Sequence, residues 1–184
     1  MLDVPEELIE DRHRLGLDKR DEVWGGVLHM VPPPAPRHNF FAGDLLFALA
    51  RIVAKHRLRA TYEVGVFDPV QGLRDFRVPD LVVAPQGLFS DRGVEGHATL
   101  VVEVLSPNDE SRDKIPFYAR VGVREVWLID PVTRAIEIYH LRDAELVSVR
   151  PHGGVLHSDS LELDLETIPG PKLQLRDGTD TYEI

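Results

Sequence analysis

The sequence predicts a mixed α/β (α+β) domain built around one sheet, and three observations carry that reading. Short β-branched runs such as Leu81-Val82-Val83-Ala84 and Leu100-Val101-Val102 have the composition of buried strands. A helical periodicity from about Arg37 to Arg57 puts Phe41, Leu45, Leu49 and Ile52 on one face, with Asp44, Arg51 and Lys55 on another. The order helix, three strands, helix, strand then suggests a mixed sheet, because neighbouring strands joined by loops are often antiparallel.

Each element has its own signal. Pro5 to Leu15 reads as a short amphipathic helix ended by Gly16. Glu22 to Met30 reads as two short strands around Gly25-Gly26, a dipeptide suited to a tight hairpin. Pro32-Pro33-Pro34-Ala35-Pro36 is a stiff connector that cannot be helical. Three strands are expected at Ala60–Phe67, Phe76–Ala84 and Ala98–Leu105, punctuated by Pro69, Gly72 and the stretch from Pro85 to Gly96. A second helix is expected from about Ser111 to Val121, with Asp109 and Glu110 favouring its N-terminus. Strands follow at Val126–Ile129, Ala135–Leu141 and Glu145–Arg150, and the tail after Pro169 reads as extended or as a minor element. The expected organisation is an N-terminal helical arm (1–20), one domain (21–168) and a C-terminal tail (169–184).

Composition narrows the function. A chain of 184 residues, 43% hydrophobic and 28% charged, can bury a sizeable core as an ordinary globular protein. The longest apolar run, Leu45 to Val53, is too short to span a bilayer and contains Arg51. The acidic start, with Glu6, Glu7, Glu10 and Asp11, is unlike a secretory signal, so a cytoplasmic location is expected. The absence of cysteine excludes disulfides, thiolate metal sites and a cysteine nucleophile. No G-x-S-x-G, P-loop, dinucleotide fingerprint or H-E-x-x-H occurs, and the eight histidines lack ligand spacing. A net charge of -10 opposes a broad basic face for nucleic acid; the nearest approach is Lys55-His56-Arg57-Leu58-Arg59, which also reads as a solvated helix end.

The chemistry is carried by two acids inside apolar strands. Asp80 sits in Val78-Pro79-Asp80-Leu81-Val82-Val83, and Glu103 in Leu100-Val101-Val102-Glu103-Val104-Leu105. Burying an unpartnered carboxylate costs several kcal/mol, so each acid is either paired with a base or bound to a metal. If the two strands pair antiparallel, Asp80 and Glu103 lie side by side on one face. Mg²⁺ or Mn²⁺, which prefer oxygen ligands, would relieve their repulsion. Lys114, in the first turn of the following helix, lies at the same end of the sheet and can reach the same pocket. A cation, two acids and a lysine are the parts of phosphodiester hydrolysis. A salt bridge from Lys114 to the acids would equally satisfy them without metal.

These residues resemble a known group. Pro79-Asp80 followed by Glu103-Val104-Leu105 resembles the PD-(D/E)XK restriction-endonuclease-like superfamily, and more narrowly the bacterial Uma (Uma-two) family. The matching segments are DEVWGGVLHMVPPPAPRH, RVPDLVVAP, LVVEVLSPNDESRDK and FYARVGVREVWLIDP, and the resemblance spans roughly residues 20 to 168. It implies a restriction-endonuclease-like α-β-β-β-α-β core, with an added N-terminal hairpin and C-terminal strands. It also implies Mg²⁺-dependent endonuclease chemistry on DNA. Asp80 and Glu103 correspond to its metal-binding acids. Its usual lysine falls at Leu105, a departure; Lys114, four residues before Tyr118, matches the family's helical lysine. Glu22, His38 and Glu110 match recurrent positions and are further candidate site residues. A homodimer is expected, since cutting two strands calls for two sites and two-fold dimers are the commonest assembly. The competing expectation is a non-catalytic member of the same fold, acting in interaction or oligomerisation.

Overall fold

A computed structural model describes residues 6–107 and 110–184. Pro5, at the expected start of the first helix, and Asp109, expected at the N-terminus of the second, lie outside these residues. The chain runs α1 (Glu6–Arg14), β1 (Glu22–Trp24), β2 (Val27–His29), α2 (Pro36–Lys55), β3 (Leu58–Tyr62), β4 (Val66–Asp68), β5 (Gly72–Arg77), β6 (Leu81–Pro85), β7 (Val94–Glu95) and β8 (Leu100–Val104). It continues through α3 (Ile115–Arg120), β9 (Glu125–Ile129), β10 (Ile136–Arg142), β11 (Glu145–Ser148), β12 (Val155–Ser158), β13 (Leu163–Ile168), β14 (Lys172–Asp177) and β15 (Asp180–Glu183).

The central sheet has the order β11-β10-β9-β8-β6-β3. Only β8 and β9 run parallel, joined across α3; every other pair in this sheet is antiparallel. The segment α2-β3-β6-β8-α3-β9 therefore has the expected α-β-β-β-α-β order. Side chains alternate between two faces, as strand geometry requires. Leu81, Val83, Leu100, Val102, Trp127 and Ile129 face α2 and the C-terminal strands. Val82, Ala84, Val101, Val126 and Leu128 face the opposite way, toward Phe117 and Tyr118 of α3. Each such fully buried aliphatic or aromatic side chain contributes about 1.5–3 kcal/mol of transfer free energy.

Two expected strands are broken, and the breaks make the site. The run from Phe76 to Ala84 is two strands in two sheets: β5 belongs to a five-stranded sheet ordered β2-β1-β5-β4-β7, and β6 to the central one. Pro79 lacks the N–H a continuous ladder needs, and Asp80 occupies the crossing between them. The run from Ala60 to Phe67 likewise divides into β3 and β4, with Glu63 in the left-handed region at φ 49°. The expected helix from Ser111 to Val121 is a 3-10 turn over Ser111–Lys114 followed by α3, which starts just before Pro116, a residue that helices accept only in their first turn.

The tail is more than an extended segment. β12, β13, β14 and β15 form an antiparallel four-stranded meander, and Leu173 and Leu175 enter the core beside Leu163 and Leu165. Lys55 at the end of α2 pairs with Asp177 and Asp180. Buried Glu125 accepts hydrogen bonds from Trp127 Nε1 at 2.5 Å and from the Ser160 amide at 3.0 Å, tying the meander to the central sheet. Among the described residues no helix is long and apolar enough to cross a membrane.

Candidate active site

The β6–β8 register places Leu81 opposite Val102 and Val82 opposite Val101. Continuing it by one position sets Asp80 opposite Glu103, and directly opposed residues on antiparallel strands share a face. Glu103 lies on the α3 side with Val101, whereas Asp80, just before β6, also borders His38 of α2. Both acids are buried, Asp80 at 6% and Glu103 at 3% exposure.

Their partners differ. Asp80 Oδ2 accepts a hydrogen bond from the Val104 amide at 2.7 Å and lies 3.2 Å from His38 Nε2. Its Oδ1 accepts from Arg20 Nη2 at 2.9 Å, and the same guanidinium reaches Glu63 at 3.0 Å. Glu103 Oε1 accepts from the Tyr118 hydroxyl at 2.5 Å, while Lys114 Nζ lies 3.1 and 3.2 Å from its two oxygens. Lys114 also donates to Glu22 Oε1 at 2.8 Å. Glu22 is fixed in turn by the Val78 amide at 2.9 Å and by Trp24 Nε1 at 2.7 Å.

So Asp80, Glu103, Lys114, Glu22 and His38 are gathered at one end of the sheet. Glu110 stands apart: its side chain is exposed and lies 3.3 Å from His29 Nδ1. Leu105, two residues beyond Glu103, packs among apolar neighbours on the α3 face. The ammonium comes from the turn before α3 instead. One contact has no sequence signal, Arg20 as the counter-ion of Asp80; Tyr118 is marked only by its spacing from Lys114, which does not show that its hydroxyl reaches Glu103. Arg20 precedes β1 by two residues, and only the pairing of β1 with β5 at Val23 and Phe76 brings that segment toward Asp80.

Electrostatics set the site's character. Burial pushes the Glu103 carboxyl up to about 7 against the pull of Lys114, and the charges of Asp80 and Glu22 add to the push. Burial lowers the affinity of Lys114 for its proton, but Glu103 and Glu22 together outweigh it and hold the ammonium well above its ordinary value. Burial, Glu103 and Glu22 all raise the Tyr118 hydroxyl, so it remains a donor. For His38, burial acts downward and the contact with Asp80 prevails, raising its pKa.

Among the described residues no three His, Asp or Glu side chains are grouped as a ready metal cage. The donor chemistry nevertheless suits a small hard cation. Asp80 and Glu103 are close enough for the charge of one to act on the other, and each carboxylate oxygen has two acceptor positions.

A family model described as "Uma2: Putative restriction endonuclease" matches residues 7–175. The chain belongs to the Uma2 family. No curated protein matches it. Among solved structures, one described as "a putative nuclease belonging to DUF820" from Anabaena variabilis ATCC 29413 is similar at a TM-score of 0.61 and 19% identity. That match covers 77% of this chain and 83% of the other, and it supports the fold. The Uma2 chain thus has the restriction-endonuclease-like core, with the lysine of its acid cluster carried on the helix side of β8.

Proposed function

We propose that this Uma2 protein is an endonuclease that hydrolyses phosphodiester bonds of DNA with Mg²⁺ or Mn²⁺ held by Asp80 and Glu103. The observation that carries the reading is the Lys114 ammonium, buried between Glu22 and Glu103 beside Asp80, whose carboxylate takes the Val104 amide next to Glu103. A bound divalent ion would lower the pKa of its water and polarise the phosphate. The chain's own residues do the rest. Lys114, cationic throughout the working pH range, orients the attacking hydroxide or offsets charge developing on the phosphate. Glu22 and Tyr118 fix Lys114 and Glu103 in place. The Val104 amide and Arg20 fix Asp80, and His38 holds a proton against it. A two-fold dimer would supply one site per strand.

The same salt bridges favour a second reading, in which Lys114 closes the acid cluster and the domain serves interaction alone. Plasmid cleavage separates the two. Wild-type protein with Mg²⁺ or Mn²⁺ nicks or linearises plasmid, and Asp80→Asn and Glu103→Gln abolish cleavage while retaining a cooperative melt. Equal behaviour of wild type and both folded variants on DNA and RNA sinks the nuclease reading.

A further inference from the structure

The net charge of -10 leaves open how an acidic chain would hold a polyanion. The structure answers through β3, the outermost strand of the central sheet. Its outer edge has no strand partner among the described residues, and three cavities flank it: one of about 430 Å³ on the α2 side, one of about 570 Å³ on the other side, and one of about 400 Å³ again on the α2 side. The first is bordered by Arg57 and Arg59, the second by Arg59 and Lys19, and the third by Tyr62, His38 and Asp80. Arg59 and Ala60 wall both the first and the second cavity, and Glu63 walls both the second and the third, so the edge of β3 connects all three to the acid site.

The cations on this path are available. Most lysines and arginines in the structure are neutralised by carboxylates, as Arg20, Lys55, Arg77, Arg92 and Lys114 are. Among the described residues Lys19 and Arg57 have no carboxylate partner, and Arg59 bonds only the neutral Gln86, at 3.1 Å. Asp91 shares the second cavity but is exposed, and Glu63 is held by Arg20. The path also has an aromatic surface. Tyr62 is 61% exposed, an open ring on the rim of the cavity containing Asp80. The Glu63 amide donates to the Asp80 carbonyl at 3.1 Å, so Arg59 lies four residues, about 13 Å, along the strand from the site.

We propose that the open edge of β3 is the track for a single nucleic-acid strand. Lys19, Arg57 and Arg59 take its phosphates and the Tyr62 ring stacks an unpaired base beside Asp80. This combination of isolated cations and one exposed ring suits an unpaired strand, whose bases are free to stack and whose backbone can follow one edge. A duplex needs a broader basic face, which the charge balance does not provide. The proposal rests on the nuclease reading for its direction, so its test measures binding without cleavage.

The test is fluorescence anisotropy in EDTA, comparing a labelled single-stranded oligonucleotide with a duplex of the same sequence, over a series of salt concentrations. Wild type binds the single strand more tightly. Arg57→Gln/Arg59→Gln weakens single-strand binding and lowers the salt slope by about 1.4, at about 0.7 per phosphate contact. Tyr62→Ala weakens binding roughly 5- to 150-fold, and Tyr62→Trp restores it. Arg150→Ala, an exposed cation elsewhere, changes nothing. All four side chains are on the surface, and thermal melts confirm that the variants fold. Equal affinity for duplex and single strand, or an unchanged slope in the double variant, overturns the track. So does concentration-dependent self-association abolished by these substitutions, which would make the edge a contact with a second copy. Loss of plasmid cleavage with intact oligonucleotide binding would count against the nuclease reading alone.

Discussion

Glu103→Gln separates the buried charge from everything else in the site. In the metal-free protein the Glu103 carboxyl titrates near 7 rather than 4.5, chiefly because burial penalises its charged form. The sign follows from proton counting. Between pH 4.5 and 7 the folded state holds a proton that the unfolded state has released, so stability falls as pH rises through this window. Each pH unit is worth about 1.4 kcal/mol, so the whole window is worth about 3 kcal/mol. Glutamine keeps the shape and an acceptor for Lys114 and Tyr118 but cannot titrate. Guanidinium unfolding at half-unit intervals from pH 4.5 to 8, in EDTA, should show wild type losing about 3 kcal/mol more than Glu103→Gln. His38, whose raised pKa works in the same direction, contributes to both proteins and cancels in the difference. Parallel profiles, or a wild type that gains stability relative to the variant with rising pH, would refute a carboxyl held up by burial.

Lys114→Met removes the one cation shared by Glu22 and Glu103; breaking a buried pair in this way costs about 3–5 kcal/mol at pH 7. A thermal melt checks it, and the deficit should shrink toward pH 4.5 as the Glu103 carboxyl takes up its proton. Tyr118→Phe deletes the hydroxyl that donates to Glu103 and should cost about 1–3 kcal/mol in denaturant titration, with a higher Glu103 pKa. Truncation after Ile168 strips Leu173 and Leu175 from the core and frees Lys55 from Asp177 and Asp180; the product should lose its cooperative melt. A truncated chain that melts like the full one would show that the meander is dispensable.

Much of the fold was legible because hydrophobic period and turn chemistry are local. The apolar face of α2 and the run Val126-Trp127-Leu128-Ile129 gave their elements directly, and Gly25-Gly26 marked the hairpin whose two glycines have φ of 56° and 89°. What a local pattern cannot show is a change of sheet. Phe76 to Ala84 is uninterrupted as a β-rich run, yet the chain leaves one sheet at Arg77 and enters another at Leu81. The tail was under-read for a related reason: Leu173 and Leu175 are core residues only because β14 pairs with β13. At the site, the strands carrying Glu103 and following Asp80 pair antiparallel, as their patterns suggest. Arg20 was illegible, since its link to Asp80 spans sixty positions of sequence. Glu125 is instructive by contrast. It is a third acid in an apolar strand, fully buried, and satisfied by hydrogen bonds from Trp127 and the Ser160 amide. A strand acid by itself therefore does not signify metal; Glu103 differs from Glu125 in sharing the Lys114 ammonium with Glu22 at the end of the sheet where Asp80 lies.

The central claim is that Asp80 and Glu103 hold one divalent ion between them. A crystal soaked in Mn²⁺ and measured for anomalous scattering tests it most directly. The account predicts one strong peak within coordination distance of both carboxylates, absent from Asp80→Asn crystals. A soaked crystal with no peak there, and Lys114 still bridging Glu22 and Glu103, would contradict it.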